Sequence, residues 1–241
     1  MTYSILRAVP SLLLFAFLAG PLTAQTVQPL TCLLAPLRAS EIGTDLRGIV
    51  VDTPVSRTQF VKKDDVLIRL DTQMAAAEQA VTEITAAALE EQIQRSERLA
   101  SSNLIPRDEI EQLRTDLAVA EADLARGALA IERAQIRAPF AGYIAAVMVE
   151  EGELIGAEPL VQLIDVSTLR AEMAYVDTAF GALKLGDEVR FSVDLVGAEV
   201  TGHVTSIDPF IDASSNTFSV VAEIENSDLA LPAGAGCRVI P

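Results

Sequence analysis

The sequence predicts an elongated, modular fold of mixed α and β type. A β-sandwich made of two halves is interrupted by an antiparallel α-helical coiled-coil hairpin and followed by a small β-barrel. Three observations predict it. The pattern from Gly48 to Asp71 returns from Gly142 to Asp165 at a constant offset of 94 residues, without a gap: Gly48 answers Gly142, Val50 Ile144, Val55 Val149, Val61 Ile155, and Asp71 Asp165. The stretch between the copies, 72–135, is rich in Ala, Glu, Gln, Leu and Arg, which are strong helix formers, and its one proline is Pro106. Beyond the second copy, short Val- and Ile-bearing runs alternate with turn residues, the pattern of a small barrel.

At the N-terminus, Arg7 precedes an apolar run from Ala8 to Ala19, and small residues lead to Ala24. This reads as a signal peptide over 1–24, cut near Ala24–Gln25, because the run is short for a membrane span. An uncleaved anchor is the alternative. Residues 25–47 are expected to supply a strand to the barrel region, and 48–71 the first half of the sandwich, with a polar turn at Lys62-Lys63-Asp64-Asp65.

Residues 72–135 form the hairpin. Its second arm has steps alternating three and four: Ile110, Leu113, Leu117, Ala120, Leu124, Gly127, Ile131, Ala134. In the first arm the apolar stripe reads Met74, Ala77, Val81, Ile84, Ala88, then shifts toward Leu89 and Ile93. Between the arms, Asn103 can end one helix, and Pro106 suits the first turn of the next, ahead of acidic Asp108 and Glu109. Each arm is about 28 to 30 residues, or roughly 40 Å at 1.5 Å per residue. Such a rod encloses little volume and serves as a spacer or docking element.

Residues 136–167 complete the sandwich and 168–241 form the barrel, with a helix expected over Asp177 to Leu185. A half of 25 to 30 residues cannot alone bury enough apolar surface to offset the ordering of its backbone, so the two halves belong in one sandwich. Asp71 is expected to cap the departing helix and Asp165 to stand at a turn.

The net charge of −16 excludes a phosphate-binding surface of clustered Lys and Arg, and so nucleic acid as a partner. Cys32 and Cys237 lie near opposite ends of the chain. In an oxidising compartment they could form a disulfide if the first and last strands are neighbours; two buried thiols are the alternative. No catalytic, metal or cofactor site is read. The single histidine, His203, has no second ligand near it in sequence. Glu150 and Glu151 flank the Gly152 turn and face solvent, and no serine has an adjacent base.

In this order the segments resemble the periplasmic adaptor subunits, or membrane fusion proteins of the HlyD and RND-type efflux family, over nearly all of the chain after the leader. Four stretches carry the resemblance: Gly48-Ile49-Val50 through Val61-Lys62-Lys63-Asp64-Asp65-Val66-Leu67 to Asp71; Ile136-Arg137-Ala138-Pro139-Phe140-Ala141-Gly142-Tyr143-Ile144; Gly202 to Pro209 with Asn216-Thr217-Phe218 and Asn226; and Leu231-Pro232-Ala233-Gly234-Ala235. Asp64 stands where the family pattern has glycine.

The resemblance implies that the sandwich is a split lipoyl-like domain. It implies a non-enzymatic periplasmic linker between an inner-membrane exporter, of the resistance-nodulation-division (RND) class, and an outer-membrane TolC-like channel. It implies a hexameric ring, and a location in the periplasm at the inner membrane of a Gram-negative bacterium. Channel-docking members carry Arg, Leu four residues on, and Ser seven beyond. Arg95 and Leu99 fill the first two positions and Pro106 the third, with Leu104 and Ile105 apolar at the tip; the bland alternative is that these side chains close the turn. The family's further membrane-proximal domain is not found before Pro241, so the chain is read as a minimal adaptor or one lacking that part. Two other functions are weighed: an adaptor for an ABC exporter, and a stand-alone periplasmic binding protein. A lipoyl or biotinyl carrier is set aside, because Lys62 and Lys63 lie in an earlier turn and the rod takes the place of the modified lysine.

Overall fold

The computed structural model describes residues 27–100 and 106–241. The expected leader, Asn103, Leu104 and Ile105 lie outside the described residues. Two separate apolar cores organise the β structure.

The first core takes its side chains from both copies of the repeat. From the first copy come β2 (Gly48–Asp52), β3 (Phe60–Val61) and β4 (Val66–Leu70); from the second come β6 (Gly142–Val147), β7 (Leu154–Ile155) and the start of β8 (Pro159–Val176), with β5 (Gln135–Arg137) just ahead of that copy. One sheet runs β5-β4-β2-β7; the other brings β3 beside β6 and β6 beside β8. The halves therefore exchange strands: Ile49 pairs with Leu154 across β2 and β7, and Phe60 with Tyr143 across β3 and β6. Each sheet needs both copies, so neither half can bury its own core. On β2 buried and exposed residues alternate, with only Val50 buried among Ile49, Val50 and Val51, whereas β4 buries the consecutive pair Leu67 and Ile68 at its register shift.

The 94-residue echo is also present in the backbone bonds. Val50 N donates to Glu153 O at 2.9 Å, and Ile144 N to Gln59 O at 3.0 Å; Gly152 N donates to Val50 O and Thr58 N to Ile144 O, both at 2.8 Å. The turns share their strained residue too: Gly152 has φ +86° and Thr58 φ 70°. Asp64, in the place of the family glycine, has φ 69°, a conformation that aspartate tolerates better than most residues.

Helix α1 (Gln73–Ala100) leaves from β4 and α2 (Arg107–Arg133) returns into β5. They pack antiparallel: Arg114 bonds Glu97 at 2.7 Å near one end, and Gly127 lies against Gln79 toward the other. On α2, each of the eight seam positions expected from spacing is at least partly covered and the rest of the helix is exposed. On α1 the expected stripe is wrong in its first part, and its shift to Leu89 and Ile93 is right. The covered positions are Ala75, Gln79, Thr82, Ala86, Leu89, Ile93, Ser96 and Ala100, while Met74, Val81 and Ile84 are 74%, 65% and 72% exposed. Close approach explains the choice. In the first part of α1 the seam takes Ala75, Gln79, Thr82 and Ala86, with Gly127 of α2 against Gln79, while the bulkier Met74, Val81 and Ile84 are turned outward. Pro106 is the N-cap of α2, one position ahead of the first turn, and Asp108 and Glu109 do occupy that turn.

The second core is enclosed by β8, β9 (Glu188–Val193), β10 (Ala198–Ile207), β11 (Thr217–Glu225), β12 (Arg238–Ile240) and the N-terminal strand β1 (Thr31–Gly43). Antiparallel pairing runs β12-β9-β10-β11-β8, β8 also pairs β1, and Leu33 bridges Gly236 just before β12. The pairings thus form a circuit. Cys32 and Cys237 are joined by a disulfide at that closure.

Two boundaries differ from expectation. The N-terminal strand serves both cores: Leu34 is buried in the second and Ile42 in the first. Likewise β8 passes through without a break, with its register against β1 shifting between Pro36 opposite Leu169 and Arg38 opposite Asp165. The helix expected over Asp177–Leu185 is only a 3-10 turn, Asp177–Ala179. Gly181 at φ +87° follows it, and Gly186 at φ +85° turns the chain into β9.

Candidate functional site

Each copy of the repeat begins and ends at a structural post. Gly48 opens β2 and Gly142 opens β6, where a side chain would strike the Ile164 carbonyl. Asp71 follows β4, and its Oδ1 accepts a bond from Gln73 N at 2.8 Å, at the start of α1.

Asp165 does not stand at a turn. It is buried within β8, where Oδ2 accepts from Arg38 Nη2 at 2.7 Å and Oδ1 from Ser167 Oγ at 2.7 Å. Burial works against its charged form, but the bonds from Arg38 and Ser167 prevail and hold the carboxyl below its ordinary value. The Arg38 guanidinium also lies 4.4 Å from the Phe140 ring centre. Beside it, Asn226 is buried and fully engaged, donating to Val166 O and Leu231 O and accepting from Leu231 N. This polar cluster marks the register shift between the two cores. Sequence reasoning missed Arg38, because the echo of Asp165 is the exposed Asp71 and nothing in the pattern sets the two apart.

At the far end of the helical pair, Arg95 is exposed and bonds Glu91 one turn back, and Leu99 is 46% exposed. Pro106 is exposed at the head of α2. Leu104 and Ile105 fall outside the described residues, so the tip is seen only from its two flanks. At the other end Arg133 bonds both oxygens of Asp45, at 2.5 and 2.6 Å, tying α2 to the loop between β1 and β2; that guanidinium holds the Asp45 carboxyl below its usual range.

Among the described residues no group of three or more His, Cys, Asp or Glu side chains could hold a metal ion. His203 is exposed on β10, opposite Glu223 and Glu188. Tyr175 is buried in the second core, its phenol pushed up to about 12 by that burial, with the Met173 sulfur its bonding partner. Among the described residues no helix is long and apolar enough to cross a membrane.

Known proteins share this arrangement. Residues 169–240 match the family described as the CusB-like β-barrel domain. An uncharacterised protein of Haemophilus influenzae is 28% identical over 221 residues, covering 87% of this chain and 58% of its own. The nodulation protein NolF of Rhizobium meliloti is 26% identical over 217 residues, covering 83% and 59%. Among solved structures, a MacA–MexA chimera carrying the Pseudomonas aeruginosa MexA α-hairpin superposes with a TM-score of 0.78 at 19% identity, over 88% of this chain and 79% of that one. In fold the chain is similar to the membrane fusion protein Spr0693 of Streptococcus pneumoniae as well, with a TM-score of 0.73 at 16% identity, over 88% of this chain and 96% of that one. It spans about three-fifths of the length of the curated relatives it matches.

Proposed function

We propose that the chain acts as a non-enzymatic periplasmic adaptor, linking an inner-membrane exporter of the RND class to an outer-membrane channel in a tripartite efflux complex. The observation that carries this reading is the antiparallel helical pair, 28 and 27 residues long, that leaves from and returns to one sandwich built of both repeat copies. At 1.5 Å per residue the pair reaches about 40 Å, a length suited to bridging and not to enclosing a substrate. The RND label in the name of the matched barrel family supports the transporter class.

In this reading 48–71 and 136–167 are the lipoyl-like halves, 72–135 is the channel-facing hairpin, and 168–241 with the first strand is the barrel that engages the transporter. Six copies form the ring. Arg95, Leu99, Leu104, Ile105 and Pro106 make the docking tip. Affinity purification of the tagged chain from cross-linked producing cells tests the proposal. An inner-membrane transporter and an outer-membrane channel should co-purify. Recovery of an ABC exporter would move the chain to that transporter class, and recovery of the chain with no membrane protein would overturn the reading.

A further inference from the structure

The boundary between the two cores holds a groove of about 280 Å³, bordered by Arg38 of β1, Phe60 of β3, Tyr143 of β6, Asp165 of β8, and Ser227 and Leu229 beyond β11. Both bodies contribute to it, the first its aromatic side chains and the second a loop. Junctions of this kind are preferred places for small ligands, and the volume is just below the usual range for drug-sized ones. It suits a single ring with a short substituent and is too small for a peptide or a lipid.

What the groove can bond depends on which groups are already used. The Asp165 carboxylate accepts from Arg38 Nη2 and from Ser167 Oγ, each at 2.7 Å, and from Ser167 N at 3.2 Å. The Ser227 hydroxyl donates to the Glu225 carboxylate at 3.3 Å. Arg38 has five N–H donors and gives one to Asp165. Its side chain is 53% exposed, and its plane is fixed by the Phe140 ring 4.4 Å away. The Tyr143 hydroxyl bonds no described residue. The spare capacity is therefore in donors, and it calls for a ligand that brings acceptors. A cation would find the bordering carboxylate taken.

The rest of the border is apolar and held in the open. Phe60 is 51% exposed and meets Tyr143 edge-on at 5.3 Å. Leu229 is 45% exposed and has φ 57°, a conformation that bulky side chains seldom take. Its N donates to Asn226 O at 3.0 Å, and Asn226 is itself buried and bonded to Val166 O. The polar cluster thus imposes a strained backbone that presents an aliphatic side chain without burying it, the kind of cost that points to a use.

The net charge of −16 opposes an anion at long range. Close by, Arg57, Lys62 and Lys63 flank Phe60 along the chain, against Asp64 and Asp65. None of the three cations forms an ion pair with a described residue.

We propose that this junction groove binds a small aromatic carboxylate, its ring against Phe60, Tyr143 and Leu229 and its carboxylate on the spare N–H groups of Arg38. Such an occupant touches both bodies at once. The inference goes beyond the adaptor reading and does not rest on it, because binding is a property of the chain alone.

Titration of the purified, isotope-labelled full chain with sodium benzoate, followed by two-dimensional NMR, tests it. Shifts should saturate with a Kd of about 1 mM or below and centre on Phe60, Tyr143 and Leu229. Benzyl alcohol keeps the ring and lacks the charge, and should bind about tenfold more weakly. Phe60→Ala removes a half-exposed ring outside both cores and should weaken benzoate about fivefold. Arg38→Gln with Asp165→Asn exchanges the ion pair for a neutral one and should bring the two probes to similar affinity. Equal affinities in the wild type, benzoate binding unmoved by Phe60→Ala, shifts centred elsewhere, or no saturation by about 10 mM overturns the assignment. The two probes and Phe60→Ala leave the Arg38–Asp165 pair in place, so they decide the matter even where the double variant fails to fold. Failure here leaves the adaptor reading standing, and co-purification with membrane proteins has no bearing on this result.

Discussion

Gly48 and Gly142 hold the same place in the repeat, yet the structure predicts very different outcomes for alanine at each. A Cβ at Gly142 would fall on the Ile164 carbonyl oxygen, 3.0 Å from its carbonyl carbon and 3.4 Å from Leu163 Cδ1. That carbonyl belongs to β8, which is paired to β6 on one side and β1 on the other, so it cannot retreat without disturbing a ladder. Overpacking of this kind costs about 1–3 kcal/mol, and a backbone obstacle places Gly142→Ala at the upper end. At Gly48 the nearest atoms are Leu70 Cδ1 at 3.4 Å and Cβ at 3.5 Å, the first at the mobile end of a side chain. Neither glycine has a positive φ, so alanine also gains the few tenths to 1 kcal/mol that comes from a stiffer unfolded chain. Gly48→Ala should therefore be within about 0.5 kcal/mol of wild type. The gap of about 2 kcal/mol corresponds to roughly 4–8 °C in Tm for a chain of this size. Thermal melts and urea titrations followed by far-ultraviolet circular dichroism measure it. Equal losses at the two glycines, or a larger loss at Gly48, would refute the argument that β8 is the fixed wall.

Ile93 is 8% exposed on the helical seam and Ile84 is 72% exposed off it, so Ile93→Ala should cost about 2 kcal/mol or more and Ile84→Ala under about 0.5, read as helical signal against urea. Thr58 takes a left-handed φ where its repeat partner is Gly152; Thr58→Gly should stabilise by up to about 1 kcal/mol in the same titration. The Cys32–Cys237 link closes a loop of 205 residues, and Cys32→Ala with Cys237→Ala should lower stability by about 2–5 kcal/mol, with reductant doing the same to wild type and nothing to the variant. The Asp165 carboxyl is held below its ordinary value in the folded state. Its contribution is therefore complete above the ordinary carboxylate range and is lost as pH falls through the lowered one. Urea midpoints taken from pH 6 down to pH 3 should drop more steeply for wild type than for Asp165→Asn.

Much of the architecture was legible because it rests on spacing. The repeat, the α2 seam and the turn glycines follow from periods that backbone geometry imposes. What escaped has a physical reason in each case. In the first part of α1, hydrophobicity points to Met74, Val81 and Ile84, but close helix packing there favours small side chains, and alanines on several faces leave the phase open until Leu89 and Ile93 fix it. The shared strands β1 and β8 could not be divided correctly from sequence, since alternation continues unbroken across the point where one core gives way to the other. Arg38 was invisible because its partner is 127 residues away, and a single pairing at that distance leaves no local pattern. The proposed docking tip turns on contacts with partners, and its middle lies outside the described residues.

The long strand β1 also has a consequence for how the protein is made. Its 13 residues are among the first described, but every partner it has in β8 and at Gly236 is synthesised much later. A chain made in sequence order must keep this strand unpaired until β8 appears, and cannot close the circuit until Cys237 has followed. Non-local pairing of this kind is slow, and an unpaired strand is open to aggregation while it waits. Pro36, Arg38 and Glu41 lie within that strand, residue types that discourage pairing with a stray edge. Folding helpers should therefore matter more to the yield of this protein than its thermodynamic stability would suggest.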